Sequence, residues 1–260
     1  MTRKGIILAG GEGTRLLPLT KDRSKQLLPI YNKPMIYYPL SILMLGGVKE
    51  ILIITTPRDN KEFRNLLGDG SQWSLSISYE EQNNPNGIAQ SLLIAENWLK
   101  GSSSVLLLGD NFFFGHGLPD LLKNTFNNSN GSTVFLHNVA DPSRYGVANI
   151  DNNKNILDIV EKPSEFISNW AVTGLYCYDQ DASNYVKEIE PSNRGELEIT
   201  DLNNRYISEN KMQAQFLGQG YTWLDMGTHE SLLEASNFVK IIESRQGIKI
   251  ADLDNIPINE

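Results

Sequence analysis

Short continuous apolar runs alternate with helically spaced stretches along the first half of the chain. Gly5-Ile6-Ile7-Leu8-Ala9, Ile51 to Thr55 and Val105 to Leu108 are almost unbroken apolar segments, the pattern of strands covered on both faces. Met35 to Leu45, Asp59 to Leu67 and Ala89 to Leu99 carry helical spacing between them. Leu75 to Glu81 alternates, as a half-buried strand does. This order predicts an α/β fold with a doubly wound, mostly parallel sheet. The second half is more mixed. Strands are expected at Thr133 to Val139, Val147 to Ile150, Ile156 to Glu161, Ala171 to Tyr178 and Met212 to Leu217. Helices are expected near Asp181 to Ile189, Ile199 to Ser208 and Thr228 to Ser244. Asn127 to Gly131 reads as a loop. No linker rich in Pro, Gly or Ser divides the chain, so residues 1–260 are expected to form one domain with a mixed-sheet subregion.

Composition narrows the function classes. Of 260 residues, 40% are hydrophobic and 21% charged, which supports a packed core and argues against disorder. The formal charge of −8 argues against a general nucleic-acid binder, which needs a basic footprint. An anionic ligand would need a few local cations or a metal. Cys177 is the single cysteine, so no disulfide forms within the chain, and a reduced, cytoplasmic setting is expected. The first apolar run stops at Gly10-Gly11, too short for a signal-peptide core, and no stretch reaches the length of a membrane span.

Chemistry concentrates after the first strand. Leu8-Ala9-Gly10-Gly11-Glu12-Gly13-Thr14-Arg15 can expose successive backbone N–H groups as an anion-binding nest, with Arg15 adding a phosphate-shaped fork. The segment is neither a Walker A loop nor a dinucleotide fingerprint, since Leu16 stands where a last glycine is needed. Taken alone it is equally an ordinary strand-to-loop turn. Lys25, alone, reads as a lysine snorkelling from an apolar Leu-Leu-Pro run; beside Arg15 it makes a second cation on one loop, suited to a triphosphate. Asp110 ends the third apolar strand, where open α/β sheets bind ligands, and Mg²⁺ takes one or two carboxylates there. Without a partner it reads instead as an aspartate that organises a turn. Asp225 is a candidate partner, or a cap for the helix near Thr228. Glu161-Lys162 ends another strand; the pair suits a sugar hydroxyl and a phosphate, or is a solvated charge pair. Arg194 is a further loop cation. His116, His137 and His229 lack metal-ligand spacing, and no Gly-x-Ser-x-Gly elbow offers a hydrolytic nucleophile.

The segment Leu8 to Pro29, with Gly-Gly-x-Gly-Thr-Arg and then Lys-Gln-Leu-Leu-Pro, resembles the sugar-nucleotide pyrophosphorylase family. Lys33 to Leu40, Leu67 to Trp73, Leu108 to Asn111, Arg144 to Val147, Ala171 to Tyr176, Arg194 to Asp201 and Gly227-Thr228-His229 narrow the match to its thymidylyltransferase branch, from about residue 4 to residue 248. The resemblance implies Mg²⁺-dependent transfer of dTMP from dTTP to glucose 1-phosphate, with pyrophosphate released. It implies a nucleotide side mainly in residues 1–115, a sugar side mainly in 116–230 and a C-terminal helix at 228–245. Carried over, Gly10, Gly11, Gly13, Thr14, Gln82 and Gly87 would meet the nucleotide, while Arg15 and Lys25 hold the triphosphate. Asp110 and Asp225 would ligate Mg²⁺. Gly146, Glu161, Val172 and Tyr176 would meet the glucosyl group, and Lys162 and Arg194 its phosphate. Arg15, Lys25 and Lys162 are the expected catalytic cations. Glu12 is expected to turn its side chain away from the phosphate loop. A homo-oligomer, dimer or tetramer, is also implied.

Other readings compete. UTP or CTP could replace dTTP on the same scaffold. A metal-dependent glycosyltransferase would normally show Asp-x-Asp, which Asp110-Asn111-Phe112 lacks. A non-catalytic nucleotide-sensing subunit would not need all of Arg15, Lys25, Asp110, Lys162 and Asp225.

Overall fold

The computed structural model describes residues 3–128 and 130–256. In chain order its elements begin with β1 (Lys4–Ala9), β2 (Pro29–Ile30), β3 (Lys33–Pro34), α1 (Tyr37–Leu45), β4 (Glu50–Thr55), α2 (Asn60–Leu67) and β5 (Ser76–Glu81). Then come α3 (Gln90–Ile94), α4 (Glu96–Leu99), β6 (Ser104–Leu108), β7 (Asn111–Gly115), α5 (Leu118–Asn127), β8 (Ser132–Asn138), β9 (Gly146–Ile150) and β10 (Ile156–Glu161). The chain continues through β11 (Trp170–Tyr178), α6 (Ala182–Lys187), α7 (Ile199–Ser208), β12 (Met212–Leu217), β13 (Tyr221–Asp225) and α8 (His229–Gln246).

The central sheet has nine strands, with the path β10-β9-β11-β6-β1-β4-β5 and with β8 and β12 branching from β11. Strands β6, β1, β4 and β5 are parallel; β6, β1 and β4 carry the unbroken apolar runs, and the alternating β5 lies at the sheet edge. Beyond β6 the sheet turns mixed: β11 runs antiparallel to β6 and to β8, and β10 antiparallel to β9. Successive residues of the parallel strands face opposite layers. Ile7, Ile51, Ile53 and Leu107 join one buried cluster with Ile36, Leu40 and Leu43 of the α1 region; Ile6, Leu52, Ile54 and Leu106 join the other with Leu92 and Leu99. Both faces are thus covered, the condition a parallel sheet requires. The run Tyr38 to Met44 of α1 is entirely buried, as a helix apolar on all sides must be.

Several boundaries differ from the sequence pattern. Helix α1 starts at Tyr37 rather than Met35, with Pro39 in its first turn, where a missing N–H costs nothing. The helix expected over Ala89 to Leu99 is two short helices meeting at Ala95. Strands β7 and β13 and helix α5 were not evident in the pattern. Strands β7 and β13 pair as a separate antiparallel ribbon. Among the described residues, no helix is long and apolar enough to cross a membrane.

Candidate active site

Strand β1 lies between β4 and β6, so the chain order reverses beside it, and the crevice at its carboxyl end is where such sheets bind ligands. Residues from both halves of the chain line a cleft of about 660 Å³ there. Thr14, Arg15, Asp110 and Asp225 meet Gly146, Glu161, Lys162, Val172, Tyr176 and Arg194 around it. A neighbouring cavity of about 370 Å³ takes Gly10 and Gln82 and shares Thr14 with the cleft.

The remaining expected residues stand behind these walls. Gly11 and Gly13 pack over the Lys25 stem, and Thr20 Oγ1 donates to the Gly13 carbonyl at 2.7 Å. Lys25 reaches the cleft through an ion pair with Asp110 Oδ2. Gly87 accepts a 3.2 Å hydrogen bond from Gln82 Nε2, which also donates to Gln90 Oε1 at 2.7 Å. Glu12 is exposed and lines the smaller cavity with Lys21 and Arg58, where the Arg58 pKa is raised first by its hydrogen bond to Asp59 and only slightly by the Glu12 charge.

The two distant carboxylates are brought together by β7 and β13, where Asp225 is the register partner of Asn111. The Met226 N–H donates to the Asp110 carbonyl at 2.9 Å. Asp225 is not the cap of α8. Thr228 and Ser231 form a reciprocal capping box there, which leaves the Asp225 carboxylate for the cleft. Burial works against ionisation of Asp110, but the Lys25 charge and its hydrogen bond hold the group below the usual carboxylate range. Asp225 is pushed the other way, by burial first and then by the Asp110 charge, against Lys25, Arg15 and Arg144. A buried and a half-buried carboxylate that repel each other beside a cleft are a hard oxygen donor pair, which suits Mg²⁺ completed by substrate phosphates. No cluster of three or more acidic, His or Cys ligands occurs among the described residues, so zinc-type sites find no ligand set.

On the other wall, Glu161 accepts from Thr200 Oγ1 at 2.9 Å and pairs with Lys162 at 3.1 Å. Lys162 holds a left-handed backbone (φ 43°), with its N–H on the Tyr145 carbonyl at 2.9 Å. Arg194 is gripped by Glu198 at 2.9 and 3.1 Å and by Glu196 at 3.1 Å. The Tyr176 phenol is held protonated by burial, then by the charges of Glu161 and Asp110. Asn111, Arg144, Tyr145 and Trp223 also line the cleft and carried no individual role in the sequence reading. Asn111 adjoins Asp110, and Trp223 precedes Asp225 by two positions, so adjacency to a candidate ligand was the available signal.

A glycine-rich loop, converging cations and two cleft carboxylates at a sheet reversal are the equipment of a nucleotide-handling transferase. The chain belongs to the nucleotidyl transferase family, whose sequence profile matches residues 4–241. Within that family it is similar to glucose-1-phosphate thymidylyltransferases. The Xanthomonas campestris pv. campestris (strain B100) enzyme of that name is 54% identical over 258 residues, 99% of this chain and 88% of its own. The Neisseria meningitidis serogroup A enzyme is 51% identical over 253 residues, 97% of this chain and 88% of its own. A crystal structure of UDP-glucose pyrophosphorylase with UDP-glucose superposes with a TM-score of 0.82 at 28% identity, covering 92% of this chain and 98% of that one.

Proposed function

We propose that this nucleotidyltransferase joins dTTP and glucose 1-phosphate to give dTDP-glucose and pyrophosphate. The observation that carries the reading is the convergence of Arg15, the Lys25–Asp110 pair, Asp225, Lys162 and Arg194 on one cleft. Arg15 and Lys25 hold the triphosphate, over the Gly10–Thr14 loop. Gln82 and Gly87 meet the base. Gly146, Glu161, Val172 and Tyr176 seat the glucosyl group, and Lys162 and Arg194 its phosphate. A phosphate oxygen of the sugar attacks the α-phosphorus in line. The new P–O bond forms as the bond to the β-phosphate bridge breaks, and its electron pair leaves with pyrophosphate. No general base is needed, because a phosphate monoester with a second pKa near ~6 is already ionised at neutral pH.

The obstacle is repulsion between two polyanions, so catalysis is positioning and charge stabilisation. One cation about 4 Å from a phosphoryl oxygen contributes on the order of 4 kcal/mol at an effective dielectric of 20. Local charges therefore outweigh a net charge of −8 spread over the chain. Asp110 and Asp225 would hold Mg²⁺, which when bound supplies further positive charge against the phosphate oxygens. Arg194 engages Glu196 and Glu198 through Nη2, so its other guanidinium N–H groups can meet the incoming phosphate.

The test is pyrophosphate release with Mg²⁺, glucose 1-phosphate and each of dTTP, UTP, dCTP and CTP. We expect dTTP to be used best, UTP more slowly, and the cytidine nucleotides poorly. No pyrophosphate from any of them, or a preference for cytidine, would refute the reading.

A further inference from the structure

We propose that Asn111 is a positioning residue that fixes the Asp110 carboxylate and ties it to the strand carrying Val172 and Tyr176. Asn111 opens β7 and is 2% exposed. Its Oδ1 accepts from the Gly174 N–H at 3.0 Å and from the Trp223 indole N–H at 2.6 Å. Both partners can only donate, so the carbonyl end of the amide must face them. The amino end is thereby forced the other way, where Nδ2 donates to Asp110 Oδ1 at 3.1 Å.

Asp110 is consequently held at both oxygens, Oδ1 by Asn111 and Oδ2 by Lys25. Gly174 completes the fit. A Cβ there would stand 2.7 Å from Asn111 Oδ1, so a larger residue would displace the amide. Gly174 lies where the register of β11 against β8 shifts, between Val172 and Tyr176. Trp223 lies on β13, two residues before Asp225, and Tyr145 packs on its ring at 4.9 Å between centroids. One amide thus joins Asp110 and the strand that ends in Asp225 to the sugar wall. Groups that orient a metal-binding carboxylate typically matter 10–100-fold to metal affinity or activity. The inference rests on the proposed Mg²⁺-dependent transfer.

The test compares Asn111→Leu, similar in shape but apolar, and Gly174→Ala, which keeps every polar group but displaces the amide, with the unmodified protein. Circular dichroism reports folding, and calorimetry reports dTTP binding with and without Mn²⁺. Both variants should fold and bind dTTP without metal within about twofold of the parent. Both should lose most of the tightening that Mn²⁺ gives, and their kcat should fall roughly 10–100-fold. A folded variant that retains both the Mn²⁺ effect and kcat would overturn the proposal. So would metal-free dTTP binding that weakens as much as kcat, or loss of folding in both variants, since Asn111 would then be a structural residue. If the unmodified protein releases no pyrophosphate, the functional reading fails instead, and the Mn²⁺ comparison still decides the role of Asn111.

Discussion

The Arg15 guanidinium lies against Gly227, where a Cβ would stand 2.7 Å from Nη2 and 3.0 Å from Asp225 Oδ1. The glycine after β13 therefore makes room for the Arg15 cation beside a carboxylate. Gly227→Ala should displace Arg15 while leaving the fold intact, and lower kcat by roughly 10-fold. Arg15→Ala should lower it by roughly 10²–10³-fold, the scale of a lost transition-state donor. In an Arg15→Ala background most of the Gly227→Ala loss should disappear, any remainder falling on Asp225. Steady-state kinetics of the double-mutant cycle measure this, and additive losses would show that Gly227 acts elsewhere.

The carboxylate pair sets a conflict between stability and function. Burial and the Asp110 charge both oppose ionised Asp225 in the folded chain. Asp225→Asn removes that repulsion and should raise the melting temperature of the chelator-treated protein at neutral pH, while turnover falls by at least 10²-fold. Calorimetry in EDTA and a turnover assay check the two halves. A lower melting temperature would mean that Asp225 stabilises the metal-free chain.

How much of this was legible in the sequence depends on distance along the chain. Strands β1, β4 and β6 announced themselves because a strand buried on both faces must be apolar throughout, and Ile51 to Ile54 satisfies that locally. Strand β7 was hidden because Phe112-Phe113-Phe114, after the turn residues Gly109-Asp110-Asn111, is a short apolar run with no period-2 alternation to mark a strand. Its partner β13 lies far downstream, and only their pairing brings Asp225 to Asp110. The roles of Arg15, Lys25 and Lys162 came from a family resemblance. Spacing alone left Lys25 and Lys162 readable as solvated surface charges, and Arg15 as part of an ordinary strand-to-loop turn. The amide of Asn111 was beyond reach, since its meaning lies in Gly174 and Trp223 on two other strands.

Arg3 offers a stability test remote from the cleft. It is buried, and its guanidinium donates to the carbonyls of Phe126 at 3.0 Å and Ser104 at 3.1 Å, and also to those of Tyr178 and Asn128. Truncation strands several buried acceptors. Arg3→Ala should cost about 2–4 kcal/mol in urea unfolding, with kcat unchanged where the variant is folded. A loss below about 0.5 kcal/mol would show that water satisfies those carbonyls.

Base selectivity should be moderate. dTTP and UTP differ by one methyl on the base, which a pocket discriminates by only ~1–3 kcal/mol, and by the 2′-hydroxyl. A kcat/KM ratio of roughly 10–200 in favour of dTTP is expected. Complete refusal of UTP in the same assay would mean that the ribose is read strictly as well.

If one cleft gathers enough positive charge to join two anions at the α-phosphorus, incubation with α-³²P-labelled dTTP, Mg²⁺ and glucose 1-phosphate will move the label into a sugar nucleotide. Label should appear in dTDP-glucose with one pyrophosphate per labelled product, and both should fall roughly 10²–10³-fold with Arg15→Ala. Label that stays in dTTP, or passes to dTMP without entering a sugar nucleotide, would contradict it.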